Sequence, residues 1–112
     1  AAMAEAATPA ASVFVNGGLR IDYAAGCVYL RGAELHLTPI EYKLLCLLAQ
    51  NVGKVLTHNF ILKEVWGSAL PGDTPSLRVF MATLRKKIEP DPERPFYIQT
   101  VRGVGYRFNK EA

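Results

Sequence analysis

The chain has 112 residues, 50% of them hydrophobic and 21% charged, which is the length and composition of one domain with a single core. This composition excludes a chain that is disordered throughout, and no apolar run approaches the 18 or so residues of a membrane span. Thirteen Lys and Arg residues against ten Asp and Glu residues give a net charge of +3, so the position of the charge matters more than its sum.

The excess positive charge lies in the second half of the chain. Residues 1–62 contain four basic and four acidic residues, whereas residues 63–112 contain nine basic and six acidic residues. We therefore expect an anionic partner to meet the second half. A basic surface that only keeps the protein in solution is the alternative, and charge alone favours it.

The two ends of the chain carry few side chains that could pack into a core. Residues 1–12, AAMAEAATPAAS, are rich in alanine and lack the basic start and long apolar stretch of a signal peptide. We interpret them as a disordered linker or tail. The folded domain is predicted at residues 13–109, and a short C-terminal tail at residues 110–112.

Two cysteines, Cys27 and Cys46, are too few for a disulfide framework. Both lie in apolar runs, and we predict that both are buried free thiols in a reducing, cytoplasmic environment. His36 and His58 form no metal-binding spacing with them, so the sequence predicts neither a metal site nor a cofactor.

Residues 13–37 are typical of short antiparallel strands joined by turns. Asn16-Gly17-Gly18, Ala25-Gly26 and Arg31-Gly32 are the turn signals. The alternating segments between them indicate a small antiparallel meander with strands at residues 13–15, 19–22, 27–30 and 34–37.

The apolar spacing changes at Thr38, where a first helix is predicted to begin. A threonine cap, Pro39 as the first helical residue and Glu41 three residues after the cap form a capping box. Apolar residues then recur on one helical face, at Ile40, Leu44, Leu47 and Leu48. We predict that the helix ends through a left-handed residue within residues 51–53.

A second, shorter helix is predicted from about His58 to Trp66, with Thr57 as its cap and Gly67 as its end. Its buried residues are predicted to be Ile61, Leu62 and Val65. Residues 67–73, GSALPGD, are predicted to form a loop.

A third helix is predicted to open at Thr74-Pro75 and to run to about Ile88, before three prolines at positions 90, 92 and 95. A step of about 100° per residue gives this helix two faces. The inward face is predicted to contain Leu77, Met81, Leu84 and Ile88, with Phe80 beside it. The outward face is cationic, contains small residues and lacks acids: Arg78, Val79, Ala82, Thr83, Arg85 and Lys86.

The outward face suits the major groove of DNA. The groove admits a helix when the contact face is narrow, and Ala82 and Thr83 keep this face narrow. Arg78 and Arg85 can each donate a forked pair of hydrogen bonds to guanine or bind a phosphate. Thr83 can bond a base edge or a phosphate, and Val79 can pack on a thymine methyl group. A solvated cationic face is the alternative for this helix considered alone.

The C-terminal segment is typical of a β-hairpin with a basic tip. Strands are predicted from Phe96 to Val101 and from Tyr106 to Phe108, with RGVG at residues 102–105 as the turn. Glycines at 103 and 105 let the turn approach another surface closely, and Arg102 can enter a minor groove. An ordinary exposed hairpin is the alternative.

Helix, loop, basic helix and basic hairpin, in this order, indicate a winged helix. The stretches LTPIEYKLLCLLAQNVGKVLT, ILKEVWG and LRVFMATLRKKIEPDPERPFYIQTVRGVGYRF resemble the DNA-binding effector domain of OmpR/PhoB-type response regulators. The resemblance covers about residues 13–109, and TVRGVGYRF and the spacing LRxKIE are its most specific parts. Within the family, DPERP, TPIEY and EVWG are most similar to KdpE-like potassium-transport regulators.

The resemblance implies an α+β winged helix-turn-helix with an N-terminal four-stranded antiparallel sheet, three helices and a C-terminal β-hairpin wing. It implies transcription regulation, with the helix at residues 75–88 in the major groove and the wing at residues 100–106 at the minor groove. Base contacts are expected from Arg78, Val79, Thr83, Arg85 and Arg102. Contacts to the DNA backbone are expected from Trp66, Lys86, Thr100 and Tyr106.

The resemblance also implies partners. Such regulators bind direct repeats of double-stranded promoter DNA as head-to-tail dimers, and they contact RNA polymerase through the segment that matches residues 67–73. They normally carry a receiver domain that a sensor histidine kinase phosphorylates on an aspartate. We expect this chain to be an effector domain excised from such a protein, and a regulator without a receiver is the alternative.

Two other functions are alternatives, a winged helix that binds protein and an enzyme. A winged helix can bind another protein through helix 75–88 or loop 67–73, and binding that survives added salt would favour this function over nucleic-acid binding. An enzyme is not predicted, because no nucleophile elbow, metal motif, phosphate loop or pair of catalytic carboxylates is recognisable.

Overall fold

In the computed structural model the described residues are 12–67 and 74–110, and in the last helix the described side chains begin at Leu77. The predicted tail up to residue 11, the predicted loop at residues 68–73 and the predicted Thr74 cap therefore lie outside them. The chain divides into two compact units with a boundary between His36 and Leu37. No helix among the described residues is long and apolar enough to cross a membrane.

The first unit is the predicted antiparallel meander, whose strands pair in sequence order. Its buried apolar side chains, Leu19, Ile21 and Val28, alternate with more exposed positions. The last strand ends at Leu35, two residues earlier than predicted, because the strand it pairs with begins at Cys27. The strands are β1 (Val13–Asn16), β2 (Leu19–Asp22), β3 (Cys27–Leu30) and β4 (Ala33–Leu35).

The second unit opens with α1 (Pro39–Gln50), which begins with the predicted capping box. The Thr38 hydroxyl accepts a hydrogen bond from Glu41 N at 3.3 Å, and the Glu41 carboxylate accepts one from Thr38 N at 2.9 Å. These bonds satisfy backbone donors that no helical carbonyl can reach. The helix ends at its C-cap Asn51, which has a φ of −125° rather than the predicted left-handed conformation, and the left-handed residue is Gly53, two positions further on, with a φ of 84°.

β5 (Val55–Thr57) leads directly into α2 (His58–Trp66). Thr57 caps the helix by accepting a hydrogen bond from Phe60 N at 3.2 Å, and Gly67 ends it with a φ of 84°, both as predicted. The sequence does not predict β5, because three residues carry too little alternation to be distinguished from a loop.

α3 (Thr74–Ile88) buries the predicted face. Leu77, Met81, Leu84 and Ile88 are all 0% exposed and follow one another along one side of the helix. The core of the unit also contains Leu44, Leu45, Leu48, Ile61, Leu62 and Phe108.

An ion pair joins the start of α1 to the end of α3. Lys87 Nζ lies 2.6 Å from Glu41 Oε1, and the Glu41 side chain is only 3% exposed. Burial acts to raise the pKa of Glu41, but hydrogen bonds from Lys87 and Thr38, together with the lysine charge, hold that pKa below its ordinary value. The ionised form of Glu41 therefore stabilises the fold.

Replacing Lys87 with methionine is expected to lower the free energy of unfolding at pH 7 by about 1–2 kcal/mol, because a buried carboxylate loses its cation. Because the folded-state pKa of Glu41 is lowered, the ion pair adds its full stability above the unfolded-state pKa of about 4.3. That stability is lost as the pH falls through the folded-state pKa. Urea unfolding measured over a pH series should therefore show the two proteins converging in acid. A difference in stability that does not shrink as the pH falls below the unfolded-state pKa of about 4.3 would contradict this.

The predicted C-terminal hairpin consists of β6 (Ile98–Val101) and β7 (Gly105–Phe108), and β7 also pairs with β5. We call β6, β7 and the turn between them the wing. β6 begins two residues later than predicted, because Phe96 N and Tyr97 N donate to Glu89 Oε1, at 2.8 and 3.0 Å. The Glu89 side chain is 5% exposed, and its Oε2 accepts from Ile98 N at 2.8 Å. This buried carboxylate, directly after α3, fixes the start of the wing.

Candidate nucleic-acid interface

Four of the six residues predicted for the outward face of α3 are exposed, whereas Thr83 and Arg85 are half-buried. Arg78, Ala82 and Lys86 are exposed, and the Val79 side chain is 65% exposed. Thr83 is half-buried, and its hydroxyl donates a hydrogen bond to Val79 O at 3.0 Å. The face therefore presents small apolar groups between flanking cations.

Arg85 lies on the same side of α3 as Arg78, as predicted, but its guanidinium is bound to the wing. Nε and Nη2 donate to Ile98 O at 3.2 and 3.0 Å, and Nη2 also donates to Thr100 Oγ1 at 2.6 Å. The guanidinium carbon lies 5.7 Å from the centre of the Tyr106 ring. The sequence gives no sign of these bonds, because they join positions 13 and 15 residues apart.

A cleft of about 340 Å³ lies between α3, the start of α2 and the wing, and we call it the arginine cleft. Arg78, Arg85 and Arg102 line it, and none of the described lining residues carries a carboxylate. Three like charges around one opening create a positive potential that attracts anions. The other lining residues are His58, Thr100, Val101, Gly103 and Tyr106.

Tyr106 is buried beneath the arginine cleft. Its side chain is 3% exposed, and its ring meets the His58 ring edge to face with centroids 5.5 Å apart. Burial raises the pKa of the Tyr106 hydroxyl, against the opposing charges of Arg85 and Arg78. Tyr106 therefore stays neutral at physiological pH.

Of the other residues predicted to contact the DNA backbone, Thr100 lines the arginine cleft, whereas Trp66 and Lys86 do not. Trp66 is half-buried, and its ring packs against Phe80 of α3 with centroids 5.5 Å apart. Lys86 is exposed on α3 and Thr100 is exposed on the wing. Arg102, predicted for the minor groove, is exposed in the wing turn.

His58 is a lining residue of the arginine cleft that the sequence analysis does not single out as a site residue. The Thr57 cap indicates that His58 lies in the first turn of a helix. Only the pairing of β5 with β7 brings this turn beside the wing. Because β5 itself is not predicted, no sequence signal indicates where His58 lies.

Both cysteines are free, but the prediction that they are buried was wrong, because each is half-buried. Cys27 begins β3 beside a turn, and Cys46 lies in a shallow groove between α1 and α2. Burial raises the pKa of the Cys46 thiol, whereas its hydrogen bond with Tyr42 acts in the opposite direction. A raised pKa disfavours the reactive thiolate. Within residues 12–67 and 74–110, no group of three or more His, Cys, Asp or Glu side chains could hold a metal ion.

Three helices followed by a hairpin, with a cationic third helix beside a cationic wing, define a winged helix-turn-helix domain. The family model described as the C-terminal part of transcriptional regulatory proteins matches residues 32–108. The chain belongs to this family of OmpR/PhoB-type DNA-binding domains.

The chain is similar to two mycobacterial regulators. It is 45% identical over 96 residues to the transcriptional regulatory protein KdpE of Mycobacterium tuberculosis, covering 86% of this chain and 42% of KdpE. It is 43% identical over 91 residues to the DNA-binding response regulator MtrA of Mycolicibacterium smegmatis, covering 81% of this chain and 40% of MtrA. The chain thus spans about two fifths of the length of the relatives it matches.

Two solved structures confirm the predicted fold. The Thermotoga maritima response regulator DrrB, an OmpR/PhoB homolog, matches with a TM-score of 0.80 and 37% identity, over 88% of this chain and 44% of DrrB. The Klebsiella pneumoniae RstA DNA-binding domain, solved in complex with the RstA box, matches with a TM-score of 0.81 and 31% identity, over 87% of this chain and 96% of that domain.

Proposed function

We propose that this chain binds double-stranded promoter DNA sequence-specifically, as the effector domain of a two-component response regulator. The observation that carries the proposal is the arginine cleft, in which Arg78 and Arg85 of α3 and Arg102 of the wing surround one opening. In this proposal α3 enters the major groove and the wing follows the DNA backbone to the minor groove.

The base contacts in this proposal come from Arg78, Val79, Thr83, Arg85 and Arg102. Arg78 and Arg102 are exposed and can each direct a forked pair of donors at a guanine edge or into a narrow minor groove. Arg85 reaches the DNA through Nη1, because Nε and Nη2 are bonded to the wing.

The backbone contacts come from Trp66, Lys86 and Thr100. Tyr106, the fourth residue predicted for this role, is 3% exposed and lies against the guanidinium of Arg85, so in this proposal it supports the cleft rather than contacting a phosphate. Neutralisation of phosphates by the cations of α3 and the wing supplies most of the affinity, whereas the base contacts supply discrimination. The same proposal includes a folded domain at residues 13–109 in the cytoplasm, no catalytic activity, and head-to-tail dimers on direct repeats.

The regulation of the parent protein is also proposed from the family. A receiver domain and a sensor histidine kinase control DNA binding, and residues 67–73, of which only Gly67 is described, contact RNA polymerase. Similarity to KdpE supports a potassium-transport operon as the target. The chain is 43% identical to MtrA and 45% identical to KdpE, so an MtrA-type target is the competing assignment.

Replacing Arg78 with alanine is expected to weaken binding to the operator by about 1–3 kcal/mol, because a guanidinium forked to a guanine is lost. Arg85→Ala is also expected to weaken binding, because it removes the contact through Nη1 and the hydrogen bonds that hold the wing against α3. The operator duplex is first recovered from a random pool by in vitro selection, and affinities are then measured by fluorescence anisotropy. Arg94→Ala is the matched control, because it removes the same charge from an exposed loop that does not line the cleft. Equal affinity of the unaltered chain for operator and scrambled duplexes would contradict specific recognition.

The dependence of binding on salt separates DNA binding from a winged helix that binds protein. Release of counterions makes the logarithm of the affinity fall with the logarithm of the salt concentration by about 0.9 for each phosphate neutralised. A steep slope supports DNA binding through the arginine cleft. Weak DNA binding without such a slope, together with salt-insensitive binding to a protein, would favour the alternative.

A further inference from the structure

Part of the exposed face of α3 carries methyl groups rather than hydrogen-bond donors. Val79 is the most exposed large hydrophobic side chain among the described residues, at 65%. Ala82, three positions further along, is also exposed. Together with Thr83 these residues form a surface that we call the methyl strip.

Thr83 belongs to the methyl strip because its hydroxyl donates a hydrogen bond to the backbone of α3 itself. Thr83 Oγ1 donates to Val79 O at 3.0 Å, so the hydroxyl has no proton left for a base edge. The hydroxyl oxygen can then only accept a hydrogen bond, and the methyl group is the part of Thr83 that can pack on a base. None of the three side chains in the strip offers a free donor to a base.

The length of the methyl strip matches the spacing of neighbouring base pairs. Residues three and four positions apart on a helix have β carbons about 5–6 Å apart. Successive base pairs lie about 3.4 Å apart along the duplex, so the strip spans one to two base steps. In the major groove, thymine is distinguished by its C5 methyl group, which apolar side chains can contact.

We propose that the methyl strip reads the C5 methyl groups of pyrimidines, so that the operator contains thymines at one or two neighbouring steps opposite Val79, Ala82 and Thr83. This inference rests on the proposed DNA-binding function and specifies how α3 selects bases. The flanking arginines supply attraction and guanine contacts, while the strip selects thymine by packing alone.

The experiment measures the affinity of the unaltered chain for selected operator duplexes in which single thymines are replaced by deoxyuridine. This replacement removes the C5 methyl group and leaves the hydrogen-bonding edge unchanged. Affinity is expected to fall about fourfold for each thymine under the strip, which corresponds to the burial of one methyl group. Replacement of a strip thymine pair by a 5-methylcytosine pair should restore much of the affinity that an unmethylated cytosine pair loses.

Three variants assign the effect to the strip. Val79→Ala removes two methyl groups and Thr83→Ser removes one, and each variant should bind thymine and deoxyuridine duplexes equally at the position that it contacts. Thr83→Val is the matched control, because it keeps the methyl group and replaces only the hydroxyl, with a second methyl group of similar size. It should still distinguish the two duplexes.

The outcomes separate this inference from the proposed function. A chain that prefers its operator over scrambled DNA but binds thymine and deoxyuridine duplexes equally would overturn the methyl strip and leave the function standing. Methyl dependence that survives both Val79→Ala and Thr83→Ser would also overturn it. A chain with no preference over scrambled DNA would overturn the proposed function itself.

Discussion

Replacing Gly105 with alanine is expected to lower the free energy of unfolding by about 3 kcal/mol or more and to abolish specific DNA binding. Gly105 begins β7 and lies opposite Thr57 of β5. A β carbon at Gly105 would collide with Leu56 O and lie 2.7 Å from Leu56 C and 2.9 Å from Thr57 Cα. All three are main-chain atoms, so they can move only if β5 separates from β7.

The damage reaches the interface because β5 leads directly into α2. Separating β5 from β7 displaces the Thr57 cap and His58, which forms one side of the arginine cleft. Urea unfolding followed by circular dichroism measures the loss of stability, and fluorescence anisotropy with the operator duplex measures the loss of binding.

Gly103→Ala is the matched control within the same wing. Gly103 has a φ of 76°, and a β carbon there would meet nothing within 4 Å. Its replacement should cost only the left-handed backbone penalty of about 1–2 kcal/mol. If Gly105→Ala cost no more than Gly103→Ala, close approach to β5 would not be the reason for glycine at position 105.

The helices of this domain can be predicted because their signals are local. The capping box at Thr38, the cap at Thr57 and the glycine at position 67 each act within four residues of the helix end that they define. The buried face of α3 follows from spacing alone, and so does the exposed face that carries Arg78 and Val79.

The parts that escape prediction depend on residues far apart in the chain. β5 is defined by its pairing with β7, and three residues without a known partner do not reveal a strand. The same holds for Arg85, whose hydrogen bonds to the wing need the fold to bring Ile98 and Thr100 within reach. The sequence thus predicts which residues face outward, but not that Arg85 also holds the wing.

Glu89 is the clearest case of a residue whose role only the fold reveals. Its position directly after α3 is unfavourable for a carboxylate, because the C-terminal end of a helix is partially negative. Three consecutive amides, of Phe96, Tyr97 and Ile98, offset this by donating to it. A sequence pattern gives no reason to expect a buried acid there.

Replacing Glu89 with alanine is expected to lower the free energy of unfolding by about 3 kcal/mol, because three amides lose their acceptor in a largely buried site, at about 1 kcal/mol each. The loss also frees the wing. Ile98 donates its N–H to Glu89 and accepts at its carbonyl from Arg85, so both of its backbone polar groups are held by the end of α3. Urea unfolding measures the stability, and hydrogen exchange measures the protection of the three amides.

Glu89→Gln tests whether the acceptor oxygens of Glu89, rather than the size of its side chain, hold the wing. The amide keeps one oxygen for two of the N–H groups but turns an NH₂ group toward the third, so about half of the loss is expected. Hydrogen exchange should show the same difference. All three amides are expected to lose protection in Glu89→Ala, and only one in Glu89→Gln. Protected amides and unchanged stability in Glu89→Ala would contradict the anchoring role. Faster exchange with unchanged operator affinity would instead mean that Arg85 alone suffices to hold the wing against α3.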